Sequence, residues 1–152
     1  MPNSQSVGVA YSDQIISGGT VDNTPIGATT PSTVAATTMY ASTEIGYASG
    51  AQGTVTQATS KSTGVTLNKS AGQITMDAAS LAATTNVTFT LTNSVLSAKD
   101  VLILNVTNGT SGAYNCWVSS MGAGTATITL RNISGSTLSE AVVLNFAIIH
   151  GQ

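Results

Sequence analysis

The feature that most constrains the fold is a two-residue alternation of apolar and polar side chains, which recurs through residues 51–152. Its clearest instance is Asn86–Thr92, where Val87, Phe89 and Leu91 alternate with threonines. Successive side chains of a β-strand point to opposite faces, so this period indicates strands that bury one face only. We therefore predict that these three apolar side chains enter a core and that the intervening threonines face away from it.

Seven further stretches carry β-branched or alternating residues between short turn signals. They are Thr54–Gln57, Gly64–Leu67, Gln73–Met76, Val101–Val106, Tyr114–Val118, Thr125–Leu130 and Ala141–Ile149. About eight strands at such a spacing are typical of all-β sandwiches and barrels. The predicted fold is all-β: an antiparallel, jelly-roll-like β-sandwich, or knob, formed by residues 51–152.

Three local features refine this prediction. Asn68–Gly72 has the composition of a hairpin connection between the strands on either side of it. Val101–Val106 is almost uniformly apolar, which indicates a central strand. Asp77–Ala83 is the one stretch that favours a short turn of helix.

Residues 1–50 differ from the rest because they show no sustained period of 2 or 3.6. Small and turn-forming residues dominate this part of the chain, and single apolar residues stand apart from one another. Such a segment cannot bury a core by itself, so it is either a disordered tail or an extended arm ordered by other chains. The recurrent apolar residues favour the arm, and we predict that they make its anchoring contacts with other chains. They are Val21, Ile26, Val34, Met39, Tyr40, Ile45 and Tyr47.

Only 7% of the residues are charged, against about 25% in a typical soluble domain. A surface of hydroxyls and amides offers little charge repulsion between copies, which suits permanent packing in an assembly. The four basic residues are scattered, so we expect no nucleic-acid binding. The longest apolar runs fall far short of the ~20 residues that span a bilayer, and we expect no membrane insertion.

Catalytic and metal chemistry have few candidate residues in this sequence. His150 is the only histidine and lies near the end of the chain, where residues are poorly ordered unless tied down. Cys116 is the only cysteine and lies within a predicted strand, so we expect a buried, inert thiol. Catalytic triads and metal sites need several such groups held together. We therefore predict no enzymatic activity, no metal and no cofactor.

Four aromatic residues admit two interpretations. Tyr40, Tyr47, Tyr114 and Trp117 could form a platform on which a sugar stacks, or they could pack in the core and at a subunit interface. Aromatic side chains are enriched at interfaces, which favours packing.

Several stretches resemble segments of bacteriophage virion fibre proteins. Gly18–Ser32 (GTVDNTPIGATTPS after its first glycine) resembles a "GTI(D/N)xTPIGxTTPs" segment of these proteins, which often precedes a phrase like Ala36–Ser42. Gly53–Asn68, continued by Gly72–Met76, is similar to a module of phage head and tail fibres, and Leu138–Ala147 is similar to the end of that module. The matches touch most of the chain and include no catalytic signature.

The resemblance implies a homotrimeric structural protein on the virion surface, made in the host cytoplasm. Its N-terminal arm would attach to the major capsid protein or another virion protein, and its knob would point outward. Tail fibres are usually much longer than 152 residues, which favours a head fibre or capsid decoration protein.

Two alternatives stay open at this point. The protein could be the tip of a tail fibre that binds a host-surface glycan through loops at Asn108–Ala113 or Ser119–Gly124. An enzyme that degrades glycans is disfavoured because the sequence lacks the paired carboxylates that such enzymes use.

Overall fold

The alternating side chains are gathered into two stacked sheets in the computed structural model of the chain, which describes residues 34–151. The chain divides into two units, Met1–Ser42 and Thr43–Gln152. The described part of the first unit, residues 34–42, contains no helix or strand. Every strand of the described residues belongs to the second unit, and the all-β prediction is confirmed.

Eight strands follow a single turn of 3-10 helix at Ser49–Ala51. The strands are β1 (Gln52–Thr56), β2 (Val65–Thr66), β3 (Ala71–Thr75), β4 (Asn86–Thr92), β5 (Val101–Asn108), β6 (Tyr114–Gly122), β7 (Thr125–Asn132) and β8 (Val143–Ile149). Sheet A has the order β1-β3-β8-β5, and sheet B has the order β2-β4-β7-β6. The first predicted strand, Thr54–Gln57, corresponds to β1, which begins at Gln52.

The core lies between the inner faces of the two sheets. On β4, Phe89 and Leu91 are buried and Val87 is half-buried, while the intervening threonines are exposed, as predicted. Phe89 pairs with Ile128 of β7. Sheet A supplies the facing layer through buried side chains of β8, among them Phe146. Since apolar residues from both sheets form one cluster, each sheet covers the other.

The prediction of a hairpin at Asn68–Gly72 is wrong, because this connection joins two strands of different sheets. β2 pairs with β4 in sheet B, whereas β3 pairs with β1 in sheet A, and both pairs are parallel. The other four pairs are antiparallel. Gly72 permits the close approach of β3 to β1, since a side chain there would collide with the carbonyl oxygen of Gly53 and with Leu67.

Two more local predictions are wrong. Asp77–Ala83 forms no helical turn; Leu81 instead forms an isolated bridge with Leu138, with hydrogen bonds of 2.8 and 3.1 Å in the two directions. Burial of the Leu81 side chain favours this extended pairing over a helix. β5 is not central either, because it is the last strand of sheet A and pairs with β8 alone.

Replacing Phe89 by alanine tests the register of β4. The substitution removes a ring that is 2% exposed, and we expect a loss of about 3–5 kcal/mol in the free energy of unfolding. Thr90→Ala is the matched control, since the neighbouring side chain is exposed, and it should cost less than about 1 kcal/mol. Urea unfolding followed by circular dichroism measures both values, and equal losses would show that the register is wrong.

Candidate functional site

The residues predicted to anchor the arm lie in three situations. Val21 and Ile26 fall outside the described residues. Val34, Met39 and Tyr40 belong to the first unit, where all three are exposed. Their role as anchors stays a prediction.

The last two predicted anchors belong to the second unit and differ from each other. Ile45 is 79% exposed. Tyr47 is fixed to its own knob: its hydroxyl donates to the carbonyl oxygen of Ile148, and its carbonyl accepts from Nε2 of Gln52 at 2.7 Å. Tyr47 therefore marks the point where the segment before the sandwich leaves sheet A.

A polar depression of about 530 Å³ lies where β5 ends, the loop at 109–113 turns and β6 begins. Amide and hydroxyl side chains dominate its lining, among them Asn105, Thr107, Asn108, Ser111 and Asn115. Half-buried apolar residues of the core lie beneath them, and no charged residue lines the depression. Neutral hydrogen-bonding groups over an apolar floor suit a neutral, hydroxylated ligand.

The loop beside this depression is held in place by one carboxylate. Oε1 of Glu140 accepts from the amide of Thr110 at 2.9 Å, and this bond helps lower the pKa of Glu140. Gly109 has a φ of +135°, which brings its backbone against the ring of Tyr114. Burial raises the pKa of Tyr114 to about 12, and the nearby Glu140 carboxylate adds to that rise.

The other predicted glycan loop, Ser119–Gly124, is mostly strand. β6 continues to Gly122, and its serines are engaged with β7. Ser119 and Thr129 share a hydrogen bond between their hydroxyls, and Ser120 donates to Thr127 at 2.8 Å. These hydroxyls form a cross-strand ladder, so they are already occupied within the sheet.

A second depression of about 490 Å³ lies over β1, β3 and β8. Gln52, Thr54, Gln73 and Asn145 line it, and Nε2 of Gln73 donates to Oδ1 of Asn145 at 3.0 Å. The two amides thus satisfy each other across the strands.

The three aromatic residues of the second unit, Tyr47, Tyr114 and Trp117, do not assemble into one platform. Tyr114 is half-buried against the core, whereas Trp117 is 37% exposed three residues along the same strand, on its opposite face. Tyr40 belongs to the first unit, and the hydroxyl of Tyr47 is bonded to β8.

Asp100 is the most heavily hydrogen-bonded carboxylate among the described residues. Its Oδ2 accepts from the amide of Ser97 at 2.8 Å and lies 3.0 Å from Nδ1 of His150; its Oδ1 accepts from the Ser97 hydroxyl at 2.8 Å and from the amide of Gly151 at 3.0 Å. The Ser97 amide is the main cause of a fall in the pKa of Asp100 to about 2, and the other three donors add to it. His150, near the end of the chain, is thus tied down by the Asp100 carboxylate.

This group contains a serine, a histidine and an aspartate, but its connectivity is not that of a catalytic triad. In a triad the imidazole lies between the serine hydroxyl and the carboxylate. Here the Ser97 hydroxyl donates directly to Asp100, which acts as a clasp between the start of β5 and the residues after β8. Cys116 lies in the other sheet, half-buried against the core, and burial raises the pKa of its thiol.

A buried lysine, which the sequence analysis did not single out, closes another part of the sandwich. Nζ of Lys61 donates to the carbonyl oxygens of Asp77 and Glu140, and Gln57 is buried beside it. Nε2 of Gln57 donates to the carbonyl oxygens of Lys61 and Thr63, at 3.1 and 2.7 Å. Desolvation lowers the pKa of Lys61, and the negative charges of Asp77 and Glu140 raise it by less.

The described residues offer neither a metal-binding cluster nor a membrane-spanning helix. Within residues 34–151, no three or more His, Cys, Asp or Glu side chains group closely enough to hold a metal ion. No helix in this part of the chain has the length and apolar character needed to cross a membrane. Comparison of the chain with protein-family models, curated proteins and solved structures found no match.

The clasp at Asp100 predicts how stability depends on pH. Because the folded-state pKa is about 2 and the usual value is about 3.9, the clasp stabilises the fold above pH 4 and is lost as pH falls through 2. We expect Asp100→Asn to be less stable than the wild type at pH 7, with a difference that narrows between pH 4 and pH 2. Urea unfolding midpoints at several pH values measure this.

The control for the clasp is Glu44→Gln, which removes one negative charge from an exposed position before the sandwich. Its midpoint should follow the wild type at every pH. A constant difference between Asp100→Asn and the wild type would contradict the proton linkage.

Proposed function

We propose that the protein is a structural component of a bacteriophage virion: a homotrimeric head fibre or capsid decoration protein. Its N-terminal segment attaches to the shell, and its β-sandwich is displayed outward. The observation that carries the proposal is the exposure of the apolar side chains before the sandwich, with Tyr40 93% and Ile45 79% exposed in the isolated chain. The resemblance of Gly18–Ser32 to fibre proteins supports the same conclusion.

Physical reasons connect this exposure with assembly. Covering a valine, isoleucine or methionine side chain contributes about 1.5–3 kcal/mol, and several such residues lie close together before the sandwich. Identical copies can supply the cover symmetrically, as most soluble oligomers do. A chain with only 7% charged residues also opposes such contacts weakly.

Mass and location together test this proposal. Light scattering of the purified full chain at micromolar concentration should give three times the 15.2 kDa mass of one copy. Gold-labelled antibody against the protein should decorate phage heads in electron micrographs. A monomer mass, or label confined to cell debris, would contradict the proposal.

A second candidate function is glycan binding by a tail-fibre tip, and the depression between β5 and β6 favours it. Its amides and hydroxyls offer neutral donors and acceptors, which match the hydroxyl groups of a neutral sugar. This candidate predicts label at the tail, and binding that depends on the lining residues.

A glycan microarray probed with the full chain distinguishes the two functions. If the tip function holds, Asn105→Ala and Asn115→Ala should each weaken binding by roughly fivefold, since one neutral hydrogen bond is worth about 1 kcal/mol. Asn86→Ala is the matched control on the exposed face of β4. An array without signal, together with label on the head, would eliminate the tip function.

A further inference from the structure

Among residues 34–151, β5 and β6 each leave one backbone edge free, and the two edges lie on the same side of the sandwich. β5 is the last strand of sheet A and β6 is the last strand of sheet B. The chain passes directly from one to the other, and both strands line the depression of about 530 Å³. A row of unpaired N–H and C=O groups therefore borders each wall of this seam.

Both edges lack most of the features that usually prevent a strand from pairing with another chain, and each has one bulge, between Val106 and Asn108 on β5 and between Val118 and Ser120 on β6. Natural edge strands are protected by charged side chains, by proline or by being very short. β5 and β6 contain no charged residue and no proline, and they extend over 8 and 9 residues. Both edges are thus competent to accept a further strand.

The first half of β5 is apolar on both of its faces. Val101 and Ile103 are 58% and 50% exposed on the outer face of sheet A, while Leu104 and Val106 point inward and are half-buried. Strands that are apolar on both faces are normally covered on both. Within the part of the chain that the structure describes, nothing covers the outer side of Val101 and Ile103.

The core is also least closed along this seam. Six of the ten half-buried apolar residues that pack against the core belong to β5 and β6. They are Leu104, Val106, Tyr114, Cys116, Val118 and Met121. One added strand between the two edges would cover them as a group.

We propose that the seam between β5 and β6 is filled by segment 34–46 of a second copy, which pairs as a strand with the free edges. Addition of an extended peptide to an open sheet edge is an established mode of recognition. Segment 34–46 contains no proline, so its backbone can donate throughout, and it carries one charge, at Glu44. Its exposed apolar side chains match the apolar floor of the seam. The proposal rests on the homo-oligomeric assembly proposed above.

The attachment of Tyr47 places the start of the segment away from its own seam, which favours a second copy as its source. The amide of Ile148 donates to the carbonyl oxygen of Ser70, which directly precedes β3, at 2.8 Å, and the carbonyl oxygen of Ile148 accepts from Tyr47. The N–H and C=O of one strand residue point to the same side. Tyr47 therefore lies on the β3 side of β8, whereas the free edge of β5 lies on the other side.

Cys116 gives a direct readout of the seam, because this half-buried thiol lines the depression. In the full wild-type chain we expect a maleimide to react with Cys116 at least tenfold more slowly than in Ile103→Lys, which places a charge on β5. Ile103 is half-exposed, so the variant should keep its circular-dichroism spectrum while light scattering reports dissociation. Thr90→Lys, on the exposed face of β4, is the matched control and should behave as the wild type.

A disulfide between two different chains tests the origin of the segment. One chain carries Cys116→Ala and a single cysteine at position 36, 38 or 40, and it is coexpressed with a tagged wild-type chain. A disulfide-linked heterodimer on a non-reducing gel can join only the segment of one copy to the seam of another. The wild type expressed alone gives the background from Cys116 pairing with itself.

The outcomes separate the two proposals. An oligomer with a protected Cys116, a crosslink and dissociation by Ile103→Lys supports the inference. An oligomer whose Cys116 reacts readily, and which Ile103→Lys leaves intact, overturns the inference but leaves the assembly standing. A monomer with reactive Cys116 overturns both. A monomer with protected Cys116 shows that each chain covers its own seam, which overturns the exchange between copies.

Discussion

The packing of the two central strand pairs against each other is the constraint on which the rest of the structure depends. β3 and β8 are central in sheet A, and β4 and β7 are central in sheet B. Nearly all of the fully buried large side chains lie on these strands or directly after them, including Ile74, Leu91, Ile128 and Leu144. Burial then declines toward β5 and β6, because an edge strand has a neighbour on one side only. The position of a residue across the sandwich thus decides whether it stabilises the fold or is left for a partner.

Buried polar groups hold together the segments that the apolar core does not join. A chain with so few charges uses several of them inside the structure, where each one fixes a connection between segments that are distant in sequence. Lys61 joins the residues after β3 to those before β8, and Asp100 joins the start of β5 to the residues after β8. Asn132, fully buried, donates to the carbonyl oxygens of Leu81 and Ser136. Removing one partner of such a buried pair leaves the other unsatisfied, so these contacts fix the connections as well as the fold.

The sequence predicted the strands better than it predicted their arrangement. Alternation is a local signal, and on β4 it correctly placed Phe89 in the core. Sheet membership is decided by long-range packing, so the connection at Asn68–Gly72 looked like a hairpin although it joins the two sheets. The partners of Asp100 and Lys61 were missed for the same reason: His150 lies fifty residues from Asp100. Ile45 is exposed in the structure, and its predicted role as an anchor stays a prediction.

The error on β5 differs from the others because its physical basis was sound. Val101–Val106 was expected to be central since both of its faces are apolar, and both faces are apolar in the structure, yet the strand lies at an edge. β5 has the apolar pattern of a strand that is covered on both faces, yet it is uncovered among the described residues of the single chain. This mismatch indicates that another chain covers it. The described apolar residues before the sandwich are also exposed, and in this part of the chain they have no apolar surface to pack against. The simplest arrangement that resolves both is one in which each copy supplies what its neighbour lacks.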